Sequence, residues 1–320
     1  MMRLRLLTKK SVKHMRGAAS GVIGLLLLVV VSAWADVTAT RTPRHLFDLT
    51  SAAGSPLSLP TDVAVGEDGR IYVVDGGNQR IAVFDRRGGA LFVIGQRGAG
   101  RGEFKDPVGI GTGPDGQVYV ADKGNRRIQV FAADGKFLRA FNVASGGRAV
   151  PPIDVATDAS GKTVYVTGNT NHKLMVYSPD GRLLRQWGGQ GVNPGEFRYP
   201  ASVTVGADGR VYVVDVFNTR VQVFDKNGRA SAIGEWGVLP GQLFRPKGVA
   251  TDKRGRVYIS DSYLDVIQVF DDAGQFLYVL GSAGVPYRFE AAGGIAIDAD
   301  NRLYVAEVLK NKISVFELKE

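Results

Sequence analysis

A thirteen-residue phrase, YVVDGGNQRIAVF at 72–84, is written again as YVADKGNRRIQVF at 119–131 and as YVVDVFNTRVQVF at 212–224. The acid that ends each phrase's first strand falls at Asp75, Asp122, Asp215, Asp261 and, as Glu307, in the last copy, with Gly168 in the odd third copy. Successive steps are 47, 46, 47, 46 and 46 residues. A period this constant limits the chain to one supersecondary unit repeated six times.

Each unit reads as four short strands. Segments such as TDVAV, IYVVD and RIAVF alternate with the period of two that half-buried strands need, and no 3.6-residue period competes. Asp-Gly or Asn-Gly turns (GEDGR, AADGK, DKNGR) separate them and supply the left-handed residue of a tight hairpin. Four antiparallel strands per 46 or so residues predict an all-β, six-bladed β-propeller. The six first strands begin near Asp62, Gly109, Asp154, Ser202, Gly248 and Gly294. The last copy ends at ISVFELKE without a fourth strand, while RHLFDLT (44–50) stands orphaned before the first blade. Pairing Arg44–Thr50 with Ile313–Phe316 is expected to complete the last blade and close the ring, leaving no open sheet edge.

The first 35 residues obey other rules. Six Lys/Arg and no acid precede an apolar run at Val22–Val31, and small residues Ala33 and Ala35 come after it, the pattern of a signal peptide cleaved after Ala35. An uncleaved membrane anchor over 18–35 is the alternative. The expected organisation is 1–35 leader, 36–43 linker and 44–320 propeller. Of the formal +9 charge, six belong to the leader, so residues 36–320 carry 34 basic and 31 acidic side chains and are a poor candidate for binding nucleic acid. The expected location is periplasmic or extracellular. The chain has no cysteine, which excludes disulfides and thiolate metal sites.

The repeated IYVxDxxNxRIxVF cores and the linkers GAGRGEFKDPVGI and GVNPGEFRYPASV resemble the NHL-repeat family of six-bladed propellers over 44–320. That resemblance implies the fold and leaves activity open, because the family includes enzymes, RNA readers and protein-binding platforms.

Candidate sites divide into scaffold and chemistry. Asp75, Asn78 and Arg80, with their copies at Asp122, Asn125, Arg127 and Asp215, Asn218, Arg220, recur in loop after loop, as structural hydrogen-bonding groups must. Tyr72 and its five equivalents, and Phe84 and its five, are expected to pack between blades. His45 and His172 are the histidines after the leader, too few for the metal centre that the resemblance associates with amidating lyases. Asp62 and Asp154 begin inner strands and are the candidates for a hard channel cation such as Ca2+, as in gluconolactonase-like relatives; their equivalents are Gly109, Ser202, Gly248 and Gly294, which makes such a site lopsided. SGKT (160–163) lacks the earlier glycine of a phosphate loop, and DADNR (298–302) lacks the rest of a calcium loop.

Loops joining strands two to three and blade to blade emerge on one face of such a ring. They carry a net positive charge, whereas the opposite turns are slightly negative. Variable loops on a rigid frame are where binding resides. This nominates Arg97, Arg101, Lys105, Arg126, Arg148, Arg198, Arg245, Lys247 and Arg288, with Phe217, Tyr263, Leu264 and Tyr287 as exposed anchors, since Gly77 and Gly124 occupy the place of Phe217 and Tyr263 in the first two blades. The leading expectation is a non-enzymatic, monomeric scaffold without cofactor that binds another envelope or secreted protein. The alternatives are a cation-dependent lyase or lactonase and a nucleic-acid reader.

Overall fold

The computed structural model describes residues 39–319; the expected leader lies outside the described residues. Six four-stranded antiparallel sheets stand around an axis. Blade 1 runs from the inner strand Pro60–Val65 through Ile71–Asp75 and Arg80–Phe84 to the outer strand Ala90–Ile94. The inner strands of blades 2 to 6 are Pro107–Thr112, Pro152–Thr157, Pro200–Val205, Pro246–Thr251 and Ala292–Ile297, each packed on the next and the last on the first. Among the described residues no helix is long and apolar enough to cross a membrane.

The sixth blade is finished from the other end of the chain. Arg44–Leu49 pairs antiparallel with Lys312–Glu317, placing Leu49 opposite Ile313 and His45 opposite Phe316. Leu49 is buried, and Leu46 and Phe47 pack beside it on the core between blades 6 and 1. The chain is anchored a second time just before this strand: Thr40–Arg41, expected in the linker, adds parallel to the outer strand of blade 5 at Val279 and Leu280. The N-terminal segment therefore bridges blades 5 and 6.

The hairpin turns close as their sequences require. At GEDGR, Gly69 donates its N–H to the Gly66 carbonyl with φ +79°, a left-handed position at which glycine has no Cβ penalty. The recurring tyrosines and phenylalanines form the inter-blade core: Tyr72, Tyr212, Tyr258, Tyr304, Phe84, Phe131, Phe224 and Phe270 are fully buried.

The polar triplets serve the loops. Asp122 Oδ1 accepts from the Lys105 N–H (2.8 Å) and its Oδ2 from Arg127 Nε (2.7 Å), while Asn125 Nδ2 reaches both oxygens. Arg127 then donates to the carbonyls of Gly100 and Glu103, tying the linker to the blade it enters. Asp75 and Asp215 repeat the arrangement. The residue four places beyond each of these acids or its equivalent (Gln79, Arg126, His172, Thr219, Asp265, Asn311) lies at φ between 52° and 57°. Six unlike residues in one left-handed conformation show that ring geometry, rather than local preference, dictates this turn.

Candidate functional site: the channel waist and the blade-to-blade face

Every inner strand slips register near its start, between Pro60 and Asp62 in blade 1 and between Pro152 and Val155 in blade 3. The slip re-aims one side chain toward the axis. In blades 1 and 3 that side chain is a carboxylate. Asp62 and Asp154 are buried and within hydrogen-bonding reach of each other, and the Ser202 hydroxyl bonds to Asp154. The small neighbours make this possible. A Cβ on Gly109, between them on the ring, would come within 2.6 Å of the Asp154 Cα and carboxylate, and one on Gly294 would overlap the Asp62 carboxylate.

Each carboxylate also joins two blades. Asp62 accepts from Val63 N–H and from Ile110 N–H of blade 2, both at 2.9 Å. Asp154 accepts from Val155 N–H (2.7 Å) and from Val203 N–H of blade 4 (2.9 Å). Burial pushes the Asp154 carboxyl up to about 6. Burial, reinforced by the charge of Asp154, holds Asp62 well above the ordinary carboxylate range. The pair is arranged to share a proton, because two adjacent buried carboxylates cannot both ionise cheaply.

These residues narrow the axial channel. Toward the hairpin-turn face lies a cavity of about 240 Å³ ringed by the ends of the inner strands. Toward the blade-to-blade face lies one of about 500 Å³, walled by Val108, Ile153, Val216 and Val308, with Lys123, Arg245 and Lys247 at its mouth. Asp62, Asp154 and Ser202 line both.

A hard cation needs six to eight oxygens. The waist supplies two carboxylates and one hydroxyl, and all four carboxylate oxygens already accept backbone N–H groups. Among the described residues no group of three or more His, Asp or Glu side chains could hold a metal. The donor set does not fit a tightly held ion. The histidines are elsewhere: His172 Nδ1 accepts from the Tyr199 N–H (3.2 Å), and His45 bonds Asp48 (2.9 Å) and meets Phe316 edge-on.

On the blade-to-blade face, Arg97, Arg101, Lys105, Arg126, Arg148, Arg198, Arg245 and Arg288 are exposed. Phe217 and Tyr263 are 54% and 38% exposed. Three expected positions differ. Leu264 is only 1% exposed and packs with Val266 and Val279, because Asp261 Oδ1 accepts the N–H groups of both Tyr263 and Leu264 and turns the leucine inward. Tyr287 is half-buried beside Phe316. Lys247 is half-buried in the channel mouth rather than on the open rim.

The aromatic surface is larger than the repeat pattern alone implies. Tyr199 meets Phe217 at 5.1 Å between ring centres, and Phe244 stacks on Tyr263 at 4.1 Å with Trp236 beyond it at 6.5 Å. Trp236 is 70% exposed. It occupies the bridge position held by Arg97 and Gln190 in other linkers, and an aromatic in a polar slot was a usable signal.

Comparison with known proteins agrees with this geometry. The NHL repeat model matches residues 57–84 and 104–131, and a model described as a 6-bladed beta-propeller matches 156–231. No curated protein sequence matches. Among solved structures, a streptogramin B lyase aligns at 17% identity over 87% of this chain and 98% of its own, with TM-score 0.60. A Xanthomonas campestris gluconolactonase aligns at 16% over 87% and 95%, with TM-score 0.64. A Bacteroides thetaiotaomicron structural genomics protein of unknown function aligns at 15% over 87% and 73%, with TM-score 0.66. At these identities the likeness is one of fold.

Proposed function

We propose that this chain, which carries NHL repeats in a six-bladed β-propeller, is a non-enzymatic scaffold that docks another exported or envelope protein on its blade-to-blade face. The observation that carries the reading is the pair of exposed aromatic stacks on successive blades, Tyr199–Phe217 on blade 4 and Trp236–Phe244–Tyr263 on blade 5. Large aromatic groups left in water beside arginines are what interface centres are made of. Arg198 and Arg245 flank the stacks, so the partner segment is acidic at its rim and apolar at its tip. At physiological salt the Debye length is about 8 Å, so these charges act mainly on association rate. The lyase or lactonase alternative gains little from low-identity neighbours and requires a cation set that the waist lacks.

The test is affinity capture with the purified propeller as bait. A protein retained by the wild type should be lost from the Phe217→Ala, Tyr263→Ala double variant and retained by Lys226→Glu, which changes the opposite face. Arg198→Glu with Arg245→Glu should slow its association while changing dissociation little. Retention by the aromatic variant with loss on Lys226→Glu would place docking on the other face.

A further inference from the structure

The larger channel cavity has a charge pattern at its mouth of which protein docking uses only the outermost group, Arg245. Arg245 and Lys247 alternate along the chain entering the inner strand of blade 5, and both line the mouth. Lys123 at the same mouth is neutralised by Asp106 at 2.6 Å. Among the described residues neither Arg245 nor Lys247 has an acidic partner: burial lowers the Lys247 ammonium's pKa, and the charge of Arg245 lowers it further. Two adjacent cations, one of them half-buried, are costly to hold together unless an anion visits them. Below them the wall is aliphatic, from Val108, Ile153, Val216 and Val308. The floor is the carboxyl pair Asp62 and Asp154.

We propose that this cavity binds a small organic monoanion, a carboxylate with a medium-length apolar body. Its head group lies between Arg245 and Lys247, and its body lies against the aliphatic wall. A volume of about 500 Å³ suits such a molecule, within the usual range of small-ligand pockets. The acidic floor repels a second negative end, so dicarboxylates of the same length are rejected. Selectivity thus comes from opposite charges at the two ends of one apolar shaft. This inference shares Arg245 with the docking reading but does not rest on it, since docking is carried by the aromatic rim and the anion site by Lys247 and the channel wall.

Isothermal titration of the purified protein at neutral pH with octanoate, acetate and octanedioate tests it. Octanoate should bind at least tenfold more tightly than either control. Lys247→Met and Arg245→Gln should each weaken octanoate at least tenfold, with melting temperature unchanged; Arg245 is exposed, so its variant reports even where Lys247→Met fails to fold. Phe217→Ala with Tyr263→Ala should leave octanoate binding intact, which separates this site from the docking face. Absence of octanoate binding, equal affinity for acetate, or wild-type affinity in Arg245→Gln would each overturn the proposal.

Discussion

Blades 2 and 4 carry the same buried network and present different surfaces above it. In blade 2 the loop after Asp122 closes over Gly124, whose N–H meets the Lys105 carbonyl at 2.7 Å; a Cβ there would approach that carbonyl oxygen to 2.6 Å. In blade 4 the equivalent bond, from Phe217 N–H to the Arg198 carbonyl, is kept at 3.0 Å, and the slightly wider loop holds an exposed aromatic ring. The acid–arginine network beneath is unchanged: Asp122 with Arg127, Asp215 with Arg220. Folding therefore fixes the loop's path and leaves the tip free to vary.

Both blades belong to one cooperative ring, and removing its closure is the largest perturbation of either. Deleting residues through Thr50 uncovers Ile313 and the edge of Lys312–Glu317, and removes buried Leu49. The expected loss exceeds a single core truncation, at more than about 5 kcal/mol, since one buried Leu→Ala alone costs roughly 2–5 kcal/mol. Urea unfolding measures it, and an unchanged midpoint would refute the seam.

Next in size, Asp122→Ala and Asp215→Ala should each cost about 3–5 kcal/mol, because each strands an arginine and a backbone N–H in a buried site. Near-equal losses on chemical denaturation would support matched scaffolds. A large inequality would show that the two blades are held differently.

The waist carboxyls predict a pH dependence of opposite sign to that of the paired acids of blade 6. Their folded pKa values are raised, so the folded state holds protons that the unfolded state releases. Their contribution is fully present below about pH 3.8, the unfolded value, and is lost as pH rises through the raised folded values, about 6 for Asp154. For Asp154 this is on the order of 3 kcal/mol. Acids with lowered values, such as Asp48 and Glu307, act in the other direction and lose stability as pH falls. The falling slope between pH 4 and 7 should therefore be absent from the Asp62→Ser, Asp154→Ser double variant. A slope that survives there belongs to other groups.

The smallest effects separate the two loop tips most directly. Gly124→Ala should cost more than about 1 kcal/mol through its backbone collision, whereas Phe217→Ala should lie within about 0.5 kcal/mol of wild type. If Phe217→Ala is the more damaging in thermal melts, the aromatic tip is structural and the docking reading loses its footing.

Everything that repeats in this protein is legible in its sequence. The blade number, the four-strand unit, the Asp-Gly turns, the orphan strand at 44–50 and the structural role of Asp75, Asp122 and Asp215 all come from short-range patterns written several times. Repetition separates scaffold from exception without knowledge of contacts. Phe217 and Tyr263 stand out in the same way, as departures from the repeat. Features that depend on non-neighbours became visible only in the closed fold. Asp62 and Asp154 are 92 residues apart and meet because a strand slip in each blade turns them toward the axis and glycines leave the space between them. Leu264 turns inward because Asp261 captures two loop N–H groups. Arg245 and Lys247 acquire their shared cavity only when six inner strands surround it. Periodicity records the rule each blade obeys, whereas a site on the axis draws one residue from each of several blades, and their meeting is a property of the closed ring.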